Sequence, residues 1–113
     1  MPNKTPAIQL PELTLPAPQK INTIDKDYKR LARNKTTVQV KGKIIHQSKT
    51  APGWAFIEDD TAIVLLDFET ASANIILPAK QIGKTLTVEG YVSPDETVIN
   101  EYLIVPVTYK LEI

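Results

Sequence analysis

Cysteine is absent from this 113-residue chain. Its absence removes disulfides, thiolate metal sites, iron–sulfur ligation and a cysteine nucleophile together. Histidine occurs once, at His46. A lone imidazole is a poor ligand set for a transition metal. A nucleophile–His–acid triad would also lack the G-x-S-x-G turn that presents a serine, which does not occur here. His46 therefore reads as a solvent-exposed strand or loop residue. No apolar run approaches the roughly 18 residues that a membrane-spanning helix needs. Charged residues make up 23% of the chain and hydrophobic ones 42%, the balance of a globular domain rather than a disordered one. The opening MPNKTPAIQL lacks the apolar core of a signal peptide as written. The expectation is one small domain, not an enzyme, with no cofactor and no metal.

Formal net charge is zero, but it is assembled from unequal parts. Residues 20–49 carry nine basic side chains against Asp25 and Asp27, a balance of +7. Residues 50–113 carry Lys80, Lys84 and Lys110 against ten acids, a balance of −7. Such asymmetry either marks a surface for nucleic acid or anionic membrane, or lets the basic segment pack on the acidic remainder.

Prolines crowd the N-terminus: Pro2, Pro6, Pro11, Pro16 and Pro18. They fix φ and bias their predecessors away from helix, so residues 1–20 read as an extended leader or spacer and residues 21–113 as the folded domain. Ile8, Leu10, Leu13 and Leu15 give the leader more aliphatics than a linker ordinarily carries. It either lies along a groove or sheet edge, here or on a neighbouring subunit, or is a free tether. Contact with a neighbour would make the leader a route to oligomers.

Residues 23–33 read as a short helix, with Thr23 as N-cap, Asp25 in the first turn and Asn34 as the stop. Ile24, Tyr28 and Leu31 share one face. From Thr37 the period changes to two. Val38, Val40, Gly42 and Ile44 alternate with Gln39, Lys41 and Lys43, and the doublet Ile44-Ile45 predicts a bulge or bend. Gln47–Gly53 is a loop around Pro52-Gly53, Trp54–Glu58 a second strand, Asp59-Asp60 a hairpin turn and Ala62–Phe68 a third strand. Residues 69–83 read as a short helical connection between Pro78 and Gly83. Leu86, Val88, Gly90 and Val92 alternate in a fourth strand. Ser93–Glu96 turns, and Thr97–Ile113 is a long or broken fifth strand whose Pro106 belongs at an edge or bulge.

This order predicts an all-β, five-stranded OB-fold-like Greek-key barrel with a short N-terminal helix. A small SH3-like barrel is the runner-up, but would not ordinarily carry the 69–83 insertion. Gly42 and Gly90 fall at inward positions, where strands coil sharply and space is short. A side chain at Gly90 is expected to destabilise more than one at Gly53, unless Gly53 needs positive φ.

Val40-Lys41-Gly42-Lys43-Ile44, Gly53-Trp54, Glu58-Asp59-Asp60, Leu66-Asp67-Phe68, Leu77-Pro78, Ile82-Gly83-Lys84 and Val88-Glu89-Gly90-Tyr91-Val92 occur in this order. In these pieces residues 38–92 resemble a family of small exported bacterial OB-fold proteins of unknown function, common as lipoproteins in Bacteroidetes. The resemblance implies export to the periplasm or a lipid anchor, with the leader as spacer. Family members often carry cysteine beside the strand-two tryptophan. Here Pro52 and Ala55 flank Gly53-Trp54, so no cysteine-dependent property transfers.

Three features could carry binding. Trp54, Phe56 and Tyr91, with Lys41 and Lys43, could form a ligand face, because OB-folds stack ligands over strands two and three. The alternative places Trp54 and Phe56 in the core or under the helix. Strands two and three carry Glu58, Asp59, Asp60, Asp67 and Glu69 with no basic residue between Pro52 and Ala79, which disfavours a phosphate backbone. Glu58-Asp59-Asp60 is either an ordinary turn or a cation contact; the glycine-bearing calcium loop is absent. Asn3-Lys4-Thr5 and Asn34-Lys35-Thr36 match the glycosylation sequon, which carries weight only in a eukaryotic secretory context. The expected function is a binding module for a protein, peptide or small ligand, with single-stranded nucleic acid as the alternative.

Overall fold

In the computed structural model, residues 10–50 and 53–112 are described. The sequon at Asn3, the leader aliphatic Ile8 and the loop proline Pro52 lie outside them. The alternating segments form five strands: β1 (Thr37–Gln47), β2 (Trp54–Glu58), β3 (Ile63–Asp67), β4 (Thr85–Pro94) and β5 (Tyr102–Leu111). They close in the order β1-β2-β3-β5-β4, with every neighbour antiparallel except β3 and β5. This is the OB-fold arrangement expected from the element order.

β1 is long because it serves two partners. Thr37–Lys43 pairs with β4, and Lys43–Gln47 pairs with β2. The register slips between Ile44 and His46, so Ile45 is the extra residue of a bulge at the doublet. At the change of partner a Cβ on Gly42 would stand 2.6 Å from the Glu58 carbonyl oxygen, which explains the absent side chain. A second slip follows Glu89 on β4, where Gly90 faces Pro106 and Val107 is left exposed. Proline is tolerated there because a bulge spares it the ladder hydrogen bond.

The interior is filled by Val38, Val40, Ile44, Ala55, Ile57, Val64, Leu66, Leu86, Val88 and Ile104. Helix α1 (Ile21–Arg33) covers the end of the barrel where β4 finishes and β5 starts. Ile21, Ile24 and Leu31 are buried there, and Tyr28 stacks on Tyr102 with ring centroids 5.0 Å apart. The helix starts two residues earlier than expected. Its N-cap position is Lys20, with no side-chain cap, and Asp25 lies beyond the first turn. The missing cap comes from the β2–β3 turn: Asp59 accepts from the Ile21 N–H at 2.8 Å, and the Thr61 hydroxyl from the Asn22 N–H at 3.1 Å. Asn34 ends the helix as expected, and the left-handed residue is Lys35 at φ 52°.

Residues 68–84 correct the expectation of a helical connection. They form turns and irregular chain, with Pro78 starting no helix. Packing explains this, because Phe68, Ile75 and Leu77 are buried and belong to the core cluster. Gly53 also differs from a permissive loop glycine. Its φ is +56°, and a Cβ would meet the Thr50 carbonyl at 2.5 Å, so it resists substitution as Gly90 does.

Residues 10–19 of the leader lie in cis along the outside of the barrel. Gln19 forms a parallel bridge with Val40, and Leu10 packs against the core cluster. No helix among the described residues is long and apolar enough to cross a membrane.

Candidate functional site

Strand alternation decides which side chains reach the outside of the β1–β2–β3 sheet. Register then sets them in rows. Lys43 stands beside Glu58, which stands beside Ile63; His46 stands beside Phe56, which stands beside Leu65; Trp54 stands beside Asp67. Phe56 holds the centre. Trp54 meets it edge-on at 5.6 Å between centroids, and His46 does so from the other side at 6.5 Å. Trp54 is 39% exposed. It is neither core nor covered by α1, which sits at the opposite end of the barrel. The alternative that buries Trp54 and Phe56 is thereby corrected: their phase on β2 is opposite to that of Ala55 and Ile57, which fill the interior.

Of the five expected ligand residues, Trp54, Phe56 and Lys43 share this face. Lys41 lies further back on β1, opposite Thr87, and its ammonium pairs with Glu112 at 3.2 Å. Tyr91 does not join them. It pairs with Thr37 at the start of β1, at the helix-covered end, and borders a separate groove of about 400 Å³ with Ala32, Lys35 and Pro94.

The acidic residues around the face are mostly engaged. Asp59 accepts from the N–H groups of Ile21, Thr61 and Ala62 and from the Thr61 hydroxyl. Partial burial alone would raise its carboxyl; these hydrogen bonds outweigh that and hold it below the usual range. Asp60 pairs with Lys20 at 2.7 Å, and Asp67 accepts from Glu69 N–H and the Thr70 hydroxyl. The acidic turn is structural. Among the described residues two ion pairs, Lys20–Asp60 and Lys41–Glu112, join the basic and acidic halves. Lys26, Lys29, Arg30 and Arg33 face solvent on α1, where Asp27 pairs with Arg30.

His46 and Leu65 extend the face beyond the residues picked out from sequence. The signal for Leu65 was present: the run AIVLLDF is apolar on both phases, which a half-solvated strand has no reason to be.

No protein-family model matches the chain, and no curated protein matches it in sequence. Solved structures do match in fold. The hypothetical protein ygiW from E. coli superposes with a TM-score of 0.59 at 15% identity, covering 86% of this chain and 91% of that one. Asparaginyl-tRNA synthetase from Pyrococcus horikoshii gives 0.55 at 15% identity over 74% of this chain. The same enzyme complexed with asparaginyl-adenylate gives 0.53 at 18% identity over 75%. This chain spans 21% of the synthetase chain, about a fifth of its length. At these identities the likeness establishes the fold: the chain is an OB-fold barrel.

Proposed function

We propose that this protein is a non-enzymatic binding module that takes a protein, peptide or small ligand on the outer face of β1–β2–β3. The observation that carries the reading is the exposed Trp54, held edge-on by Phe56 beside His46 and Leu65. Flat, rigid aromatics bury large area at small entropic cost, and half-exposed ones supply the anchors of interfaces. Asp59 and Asp67 are tied into turns, Asp60 pairs with Lys20 and Glu58 stands beside Lys43, so the face is amphipathic.

Trp54 is the only tryptophan, so intrinsic fluorescence reads the face directly. Peptides selected from a displayed library against the full chain are expected to shift its emission and to lose binding in Trp54→Ala at unchanged melting temperature. Selected ligands indifferent to Trp54→Ala would refute the site. Turnover of a hydrolase or transferase substrate that disappears in His46→Ala would refute the non-enzymatic reading.

The aromatic pair also supports a second reading, single-stranded nucleic acid, and one structural neighbour is a tRNA synthetase. Lys43 lies on this face, but the basic cluster Lys26, Lys29, Arg30 and Arg33 lies on α1, at the other end of the barrel. Anisotropy with a labelled oligothymidylate at low salt separates the readings. Binding that weakens with salt and with Trp54→Ala selects nucleic acid. Export to the periplasm or a lipid anchor completes the proposal. It is supported by the resemblance of residues 38–92 and tested by fractionation of the source cells.

A further inference from the structure

On the outer face of β1, β4 and β5, Gln39, Glu89 and Thr108 stand side by side in register. Their phase turns them away from the interior, yet they are only 3%, 1% and 1% exposed. Their cover is the strap formed by residues 10–19. The Glu89 carboxylate accepts from the Thr14 N–H at 2.8 and 2.9 Å, the Leu15 N–H at 2.7 Å and the Thr14 hydroxyl at 3.1 Å. Gln39 Nε2 donates to the Leu15 carbonyl at 2.9 Å and to Glu89 at 2.8 Å. The Thr108 hydroxyl donates to the Pro11 carbonyl. Every strap atom in these bonds except one hydroxyl is main chain. The row therefore recognises an extended backbone, with Leu13 and Leu15 half-buried beside it.

Two further observations bear on what the site can hold. Among the described residues no lysine or arginine pairs with Glu89, so the strap itself supplies the dipoles that its charge needs. The strap then leaves the sheet at Pro16-Ala17-Pro18, all exposed, before the Gln19 N–H rejoins the Gln39 carbonyl at 2.7 Å. Beneath this arch is a space of about 250 Å³ bordered by Leu15, Leu31 and Val38. An open site would show water a polar row rather than core.

We propose that Gln39, Glu89 and Thr108 form a binding site for an extended peptide main chain, and that its occupant in trans is the strap of a second copy, exchanged reciprocally about Pro16–Pro18. The second copy fits because its strap carries the register the row already satisfies, Pro11 on Thr108 and Thr14-Leu15 on Glu89. Closed monomer and exchanged dimer make the same bonds and differ in the hinge, so protein concentration sets their ratio. A short hinge invites exchange, and its prolines hold φ near the extended form that exchange requires.

The cysteine-free sequence makes the test direct. Glu12 and Lys110 are exposed and border one groove with Leu10 and Tyr109. Full-length Glu12→Cys and Lys110→Cys variants are mixed over a concentration series and treated with a short bismaleimide. The double variant in one chain serves as the cis control. The expected result is a covalent heterodimer joining positions 12 and 110, rising with concentration above the 12–12 and 110–110 products. Adding Glu89→Gln to both partners should speed its appearance at least about tenfold, equivalent to about 1.4 kcal/mol less holding the strap closed. Thr14→Pro, which removes one captured N–H from the strap and leaves the barrel sequence intact, should act in the same direction. Heterodimer at the background level of the like-with-like products at every concentration would overturn the proposal. So would a heterodimer whose rate neither Glu89→Gln nor Thr14→Pro changes.

Discussion

Replacing Gly90 by alanine puts one methyl where two strands leave no room. The new Cβ would stand 2.8 Å from Ile104 Cγ2 and from the Val105 carbonyl carbon, and nearer still to the Val105 oxygen. A side chain could rotate away, but a backbone carbonyl within the β4–β5 ladder cannot. The strands must part, loosening the hydrogen bonds on both sides of the Glu89/Gly90 register slip. Overpacking costs about 1–3 kcal/mol, and a backbone obstacle puts Gly90→Ala at the upper end, about 3 kcal/mol. For a domain of this size each kcal/mol moves the melting temperature by about 4–8 °C, so a fall of more than about 10 °C is expected. Gly83→Ala is the matched control. Its φ is +97°, but nothing lies within 4 Å of the added Cβ. Backbone strain alone should cost about 1 kcal/mol there. Urea unfolding followed by far-ultraviolet circular dichroism measures both with a common slope. Equal midpoints for the two variants would show that β4 and β5 do not approach as closely at Gly90 as described.

Asp59→Ala should cost about 2 kcal/mol, the upper range for a lost N-cap, because it also unties the Thr61 and Ala62 N–H groups; loss of helical dichroism with a lowered melting temperature checks it. Acid should weaken the fold through two carboxylates. For Glu89, burial raises the carboxyl, but the hydrogen bonds from Leu15, Thr14 and Gln39 outweigh it and leave it below the usual range, as at Asp59. A lowered folded-state value stabilises fully above the unfolded carboxylate pKa of about 4 and is lost as pH falls through the folded values. Lys41 and Lys110 flank Thr87 in the next row and make no ion pair with Glu89. Melting temperature against pH should therefore be steep below about pH 4, and shallower in Glu89→Gln with Asp59→Asn. An unchanged slope in the double variant would refute the assignment.

The barrel was legible because its determinants are local. Alternation marked β1 and β4, the Ile44-Ile45 doublet marked the bulge, and Pro106 marked the irregular place on β5. What failed was whatever depends on distant partners. Thr23 resembled a cap, but the helix begins at Ile21 because Asp59, far along the chain, supplies the acceptor. Pro78 and Gly83 resembled helix punctuation, but Ile75 and Leu77 fill the core better from irregular chain. Gln39 had every mark of a solvated strand residue; only the strap buries it. In the candidate site Trp54, Phe56 and Lys43 were legible from their phase on neighbouring strands. His46 needed the bulge register, and Tyr91 was misplaced because stacking chemistry says nothing about which end of a strand a residue occupies.

The β3–β5 junction has a consequence for how the molecule breathes. It is the one parallel junction among the five strands, and its ladder consists of the single pair Leu66–Ile104, supported by Asn100 Nδ2 on the Ile63 carbonyl at 2.5 Å. The antiparallel junctions are longer, so transient opening should begin here, and amide hydrogens along this seam should exchange ahead of those between β1 and β4. An opened barrel presents β3 as a free edge, and β3 is apolar on both faces through Val64 and Leu66 inside and Ile63 and Leu65 outside. Such an edge templates pairing with another chain. Aggregation of this protein under mild heating should therefore track the stability of one short seam rather than that of the whole barrel.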